Sequence, residues 1–450
     1  MFENIIEQGA VIQLRDDIQS RRVAPSMLFY GPHGTGKGSA ALELARVFSC
    51  ENEAAWKCSC PSCRQHRYLQ HDDLLVLGNR SFAAEIAACQ SAFLRNSSNQ
   101  NSKLLFIRSI KKLLIRFSPV VMEDEPKLSK VLPVLQSLDE KLNDFSSGGQ
   151  LYEKAALEKL CGSMIKDALT LENDGLSSII PIGQIRRACA WCRLSPNGKR
   201  KMLIIENAQD MREEGRNSLL KLLEEPPVTV SIVLTAQRRE SIIQTILSRL
   251  RPYRFLRRSE ESEKEVIRRV FQDTVKSKTV DTGGSLVSEY LGSFLPHNAE
   301  KMETLASWFM VSFARIVSLS IKNNNAESGK KNSFDPVNIL FFFNILEKRY
   351  ASIADTEGLV VSENGMNVIK ILLSKSKNFE RDSFSRFMKI CLDMIGETVR
   401  FCQNPLYITY YDIFRKNINE AISAVDVYNI NAASALENLI FKLKSAAAGR

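Results

Sequence analysis

No uninterrupted apolar stretch in these 450 residues reaches the ~18 that a membrane-spanning helix needs, so no membrane partner is expected. The opening MFENIIEQGAVIQLRDDIQ lacks the basic start, apolar run and small-residue cleavage site of a signal peptide. It carries acidic residues in an amphipathic helical pattern instead, and a cytoplasmic protein is expected. Also missing is any β pattern after Phe255, which predicts a helical second half. The bulk composition excludes no soluble class: 44% of residues are hydrophobic and 25% charged, enough to bury sizeable cores. The length exceeds one usual domain of roughly 100–200 residues, so two or three are expected. A net charge of +10 suits a polyanionic partner such as DNA, although solvated lysine faces give the same total. Ten cysteines in a reducing compartment suggest metal ligation or free thiols rather than disulfides.

The first fifty residues read as helix, strand, loop, helix. Ile5, Ile6, Val11, Ile12 and Leu14 recur at near-helical spacing, SMLFY is a short apolar strand, and GSAALELARVF is a helix. A second block, Ile182 to Phe255, behaves alike. IGQIRRACAWCRL is helical, KRKMLIIENA holds a buried strand, RNSLLKLLEE is a helix stopped by Pro226 and Pro227, and VSIVLTA is another strand. Such alternation predicts a parallel sheet covered on both faces. Between the blocks, about 79–178, lies a largely helical insertion with mobile connections, marked by NSSNQNSK (Asn96–Lys103), MEDEPKLSK and SSGG. Its basic stretch SIKKLLIRF reads as the solvated face of an amphipathic helix in preference to a DNA contact. KNNNAESGKKNS (Lys322–Ser333) reads as a linker, and the segments after it as a helical bundle.

The loop YGPHGTGKGSA approaches the phosphate-loop pattern G-x-x-x-x-G-K-[ST]. Gly31, Gly36 and Lys37 are in place, with Pro32, His33, Gly34 and Thr35 between them. Its backbone amides, the following helix N-terminus and the lysine would hold the phosphates of ATP or ADP; the alternative is a Gly-rich turn with no ligand. The hydroxyl that binds Mg²⁺ is replaced by Gly38, and Ser39 is turned ~100° away along the helix. At the end of the later strand, Glu206 stands where an aspartate for the metal belongs, and Asn207, a poor base, where a glutamate should polarise water. Both departures argue against metal-assisted hydrolysis. Cys50, Cys58, Cys60 and Cys63 can close a tetrahedral, structural Zn²⁺ site, with His66 and His71 as weaker substitutes. The tight Cys58-Ser59-Cys60 step leaves open whether all four bind. Cys189 and Cys192 in CAWC are read as core packing on a helix.

NSLLKLLEEPP followed by SIVLTAQRRESIIQTILSRL resembles a stretch of the bacterial DNA polymerase III clamp-loader subunits, which are AAA+ proteins. MFENIIEQ, the Gly31 loop, the four cysteines, HDDLLVL and YNINAASALENLIFKL extend the similarity. It covers residues 1–78 and about 179–255 well, and the last twenty-odd moderately. The resemblance implies an AAA+ α/β P-loop domain over 1–255 with zinc module 50–63, a helical lid over 256–321, and a helical collar over 334–450. Within the family, gamma/tau hydrolyses ATP, while delta-prime commonly has a degenerate site and acts as a stator. Gly38, Glu206 and Asn207 resemble the delta-prime condition. Arg249, with Ser248, stands at the family's Ser-Arg-Cys position, where an arginine serves the neighbouring subunit's ATP in trans; Leu250 replaces the cysteine. Thr235 matches the sensor position. The implied partners are gamma/tau, delta, the sliding clamp and primed DNA. A hydrolysing gamma/tau-like subunit and a zinc-stabilised DNA-binding protein outside a ring are the alternatives.

Overall fold

The computed structural model describes residues 1–78, 80–123, 125, 127–147, 153–177, 179–274, 285–294, 299–325, 336–354, 369–373, 381–426 and 430–447. The chain divides into two compact units, Met1–Leu295 and Pro296–Arg450. This division falls within the segment expected as a lid, so that segment's first helices belong to the first unit and its last to the second.

The first unit is organised by a five-stranded parallel sheet with strands β1 (Ser26–Tyr30), β2 (Leu74–Leu77), β3 (Lys201–Ile205), β4 (Val230–Ala236) and β5 (Arg251–Arg254). Their order is β2-β3-β4-β1-β5. Strands covered on both faces need side chains that avoid water on both, and SMLFY, LLVL, KMLII and VSIVLTA supply near-continuous apolar runs. RPYR is different. It lies at the sheet edge and pairs only with β1, which is where a strand can tolerate Pro252. Tyr253 is fully buried there, and its hydroxyl donates to Asp17 Oδ2 at 2.7 Å, tying β5 to helix α1 (Gly9–Gln19). Helix α1 starts later than Ile5 and Ile6 suggested, because Gln8 is held in extended backbone by two hydrogen bonds to Leu256. Neither β2 nor β5 stood out in the sequence: one is four residues long, the other polar and proline-bearing.

Helix α2 (Lys37–Ser49) follows β1, α3 (Pro61–Arg67) carries part of the cysteine module, and α9 (Ile182–Cys192) and α10 (Glu213–Glu224) flank β3. Cys189 and Cys192 are buried on α9, as their context suggested, and burial pushes the Cys192 thiol up to about 12. Between β2 and β3 run α4 (Ala83–Arg95), α5 (Gln100–Leu114), α6 (Pro119–Met122), α7 (Leu128–Ser147) and α8 (Lys154–Gly175). They share one apolar core, in which Phe93, Phe106 and Phe145 meet edge-on or stacked, with α12 (Glu260–Phe271) and α13 (Leu286–Gly292). The insertion is thus a folded helical layer. NSSNQNSK is no open connection: Asn99 caps α5 by accepting from the Asn101 amide at 2.9 Å, and the Ser102 hydroxyl bonds back to Asn96 and Asn99. Of SSGG, Ser146 and Ser147 end α7, and the two glycines lie outside the described residues.

The described elements of the second unit are all helices. Helices Ala299–Asn325, Pro336–Ala354, Arg381–Cys402, Leu406–Asp426 and Ala432–Ala447 bury an aromatic-rich core including Trp308, Phe313, Phe342 and Phe414. Phe313 and Phe414 meet edge-to-face with centroids 5.7 Å apart, a favoured geometry for ring quadrupoles. Of the expected linker Lys322–Ser333, residues 322–325 complete a helix, and the rest lies outside the described residues.

Candidate functional site

Because all five strands run parallel, the ends of β1, β3 and β4 place the Gly31–Lys37 loop, Glu206 and Thr235 on the same edge of the sheet, where ligands of open α/β sheets bind. The loop keeps its backbone shape. Gly31 has φ +149°, and a Cβ there would lie 2.0 Å from the Phe255 carbonyl oxygen, so only glycine lets the loop pass this close to the chain leaving β5. The Thr35 hydroxyl donates to the Pro32 carbonyl at 2.8 Å. Lys37 Nζ donates to the carbonyls of Gly31 and Pro32, both at 2.6 Å, so the lysine closes the loop on itself. Burial lowers its pKa to about 8 against the raising influence of Glu206. Arg258, which the sequence reading did not single out, donates to Gly34 O at 2.7 Å and to Ile6 O at 2.9 Å. Pro32, His33 and Gly34 are exposed, while Ser39 sits half-buried in the first turn of α2.

Gly38 has a neighbour that explains it. A Cβ at this position would lie 2.6 Å from Glu206 Oε1. The carboxylate therefore borders the space into which a serine or threonine would project. Glu206 is held there by Arg116, whose Nη2 donates to Oε2 at 2.5 Å and whose Nη1 donates to Leu77 O at 2.9 Å, and by Arg80, with Nε 3.3 Å from Oε2. Arg80 also pairs with Glu85 at 2.7 Å, and Glu85 with Lys112. Burial by itself would raise the Glu206 carboxyl, but the two guanidiniums outweigh it and hold its pKa below the ordinary value. SIKKLLIRF thus corrects its sequence reading. Lys112 and Arg116 are neither a solvated face nor aimed at DNA; they are buried or half-buried counter-charges to Glu85 and Glu206. No spacing in the sequence could show this, since Arg116 and Glu206 are ninety residues apart.

These residues fit phosphate and do not fit Mg²⁺. Amides, helix N-terminus and lysine remain, whereas the hydroxyl is gone and the carboxylate at the end of β3 already has two cations. Asn207 adopts left-handed backbone, φ 51° and ψ 54°, and its N–H donates to the Thr235 hydroxyl at 3.1 Å, joining the ends of β3 and β4. Arg249 stands apart from this cluster, following the short helix α11 (Gln244–Leu247). Its Nη2 meets Glu224 Oε1 at 2.5 Å, with side chains 31% and 48% exposed, and its Nη1 is 3.2 Å from the Ser248 hydroxyl. Ser248 in turn donates to Thr245 O at 3.1 Å.

At the other end of α2 the four cysteines converge. Their sulfurs all lie within 4.8 Å of one another, with Cys50 and Cys58 3.6 Å and Cys50 and Cys60 4.0 Å apart. Tetrahedral thiolates ~2.3 Å from a zinc ion would be about 3.8 Å apart, so the donor set fits. Cys60 caps α3 and accepts from the Cys63 amide at 3.4 Å, with Pro61 at the first helical position. The tight Cys58–Cys60 step is accommodated, and all four residues form one group that can hold a metal ion. His66 and His71 are not in it; their rings stack 4.2 Å apart beside α3, and burial lowers His66 to about 3.

A parallel sheet in this order, with a phosphate-loop turn after β1 and helical domains around it, is the AAA+ α/β class. Residues 6–118 and 153–259 match the family model described as DNA polymerase III, delta subunit. Over 108 residues the chain is 32% identical to DNA polymerase III subunit delta' of Bacillus subtilis (strain 168), covering 23% of this chain and 33% of that protein. The chain therefore spans about a third of the relative's length. A crystal structure of a DNA polymerase III gamma subunit-related protein from Thermotoga maritima is 17% identical, covering 61% of this chain and 82% of its own. Its TM-score of 0.28 carries no argument. Over these residues the chain is similar to DNA polymerase III clamp-loader-type subunits. The family match runs through much of the insertion, including Arg80 and Arg116, which the sequence motifs did not reach; it omits 119–152.

Proposed function

We propose that this chain is a delta-prime-type subunit of a DNA polymerase III clamp loader, a stator that supports ATP chemistry in a neighbouring subunit without turning over ATP itself. One observation carries the reading. The position a metal-binding hydroxyl would need is bordered by a carboxylate committed to Arg116 and Arg80, while Arg249 sits at the surface, its charge paired with the exposed Glu224 and its Nη1 bonded to Thr245 O and the Ser248 hydroxyl. Such a pair contributes little in water, so Arg249 can leave it for a stronger anionic partner. Presented to a neighbour's ATP, its guanidinium would stabilise charge developing on the transferred phosphoryl group, with Ser248 positioning it. Thr235 has a structural role, bracing Asn207. The cysteine group holds a structural zinc ion. The partners in this reading are gamma/tau and delta, with the sliding clamp and primed DNA reached through the complex, in the cytoplasm; the 256–321 segment serves as lid and 334–450 as collar.

The test is a reconstituted complex carrying Arg249→Ala. Its ATPase rate is expected to fall by about 10³-fold or more, the scale on which arginine fingers act, with unchanged folding and assembly. An unchanged rate removes Arg249 from the mechanism, and Lys37-dependent hydrolysis by the isolated chain overturns the stator reading.

A further inference from the structure

The segment between β2 and β3 contributes more than a helical layer, because it delivers Arg80, Lys112 and Arg116 to the end of β3. Against them stand Glu85 and Glu206, with Glu172 acting on Arg80, so the cluster is balanced before any ligand arrives. Two consequences follow for the loop beside it. A divalent cation at the Gly38 side would meet only Glu206 Oε1, on a carboxylate whose charge two guanidiniums on Oε2 already offset, and Gly38 offers it nothing. An anion meets the opposite situation: Lys37 stands at the loop bonded only to the Gly31 and Pro32 carbonyls among the described residues, and Arg116 is 5% exposed with its Nε buried and without a hydrogen-bond partner. Both arginines lie against the Phe82 ring, at 4.4 and 5.6 Å, which holds them in place.

We infer that Arg116 and Arg80 supply, next to Glu206 and Gly38, the counter-charge that a divalent cation supplies in metal-dependent loops, so that this loop takes the phosphates of a nucleoside di- or triphosphate without metal. The inference stands apart from the reading of Arg249, which takes no part in it; failure of one leaves the other intact. The full chain is titrated calorimetrically with ATP and with ADP, once in EDTA and once in Mg²⁺. Dissociation constants within about twofold of each other in the two buffers, lost in Lys37→Ala, are expected. Tightening of about tenfold or more by Mg²⁺ overturns the inference, as does the absence of binding in both buffers.

Glu206→Gln separates the two chemistries by sign. It keeps an acceptor for both arginines but removes a negative charge beside the phosphates, so affinity is expected to rise about fivefold or more in either buffer. Were Glu206 a metal ligand, the same change would weaken binding in Mg²⁺, and an unchanged or weakened affinity overturns the role given to the arginines. Should Glu206→Gln not fold by circular dichroism, Arg116→Lys decides. It keeps the charge, and binding in EDTA within about threefold of wild type is expected. Binding that now requires Mg²⁺, or is lost, refutes the inference.

Discussion

The two ends of helix α2 present the same problem, a cluster of potential ligands, and resolve it in opposite ways. At the C-terminal end, four sulfurs converge at spacings a tetrahedral ion fits, and among the described residues Arg46 is the cation bonded to one of the sulfurs, Nη1 being 3.0 Å from Cys63 Sγ. At the N-terminal end, Glu206 stands beside Gly38 with two arginines already on it. Whether donor atoms can take a metal depends on whether the fold has already neutralised them, and residue type alone does not reveal this. The cysteine end can hold a cation; at the loop end the carboxylate is already paired with two.

Removing a sulfur should break the first half of that comparison with the largest effect. Cys63→Ala is expected to lose bound zinc in elemental analysis and to cost more than about 4 kcal/mol by chemical denaturation, the range for loss of a structural metal. Freshly purified protein without zinc would contradict the metal assignment. Next comes Arg116→Ala, which strands a buried carboxylate. A loss of about 3–5 kcal/mol is expected, with most of it restored in Arg116→Met combined with Glu206→Gln; a double variant as unstable as the single one argues against the pair. Gly38→Ser would force Glu206 off its partners, for a cost of about 1–3 kcal/mol; a neutral result would show that the carboxylate moves freely.

A smaller effect separates the loop lysine from ordinary ones. With its folded pKa lowered to about 8 from 10.5, Lys37 binds fewer protons folded than unfolded between those values, so its burial penalty is fully present below pH 8 and is relieved as pH rises towards 10.5. The stability of wild type minus that of Lys37→Met should therefore rise from pH 8 to pH 10, and a flat difference rules out the perturbed lysine. Smallest of all is Glu224→Gln, expected to change stability by under about 1 kcal/mol because the pair with Arg249 is exposed. A larger loss would mean that Arg249 is fixed in place, contrary to the proposed role.

Much of the architecture was legible because it follows from periodicity. SMLFY, KMLII and VSIVLTA became central strands, and helix α10 ended before Pro226, since apolar runs and proline act locally. β2 and β5 escaped notice because their strand character comes from the neighbour each pairs with. The polar patch Asn96–Lys103 misled, since capping asparagines and serines have the composition of a linker until the helix they start is known. The loop and the four cysteines could be read from spacing within a dozen residues or so. Arg80, Arg116 and Arg258 could not, since each reaches its partner across a long sequence separation.

The sequence by itself determined the strand-loop-helix at Gly31, the ligand set at Cys50–Cys63 and the loss of the metal-binding hydroxyl at Gly38, all of which depend on covalent neighbours. Only the tertiary structure decided that Glu206 has counter-ions and that a basic helix serves as their source. Charges act through space, and which ones meet depends on how the chain returns to the sheet, which no local pattern encodes.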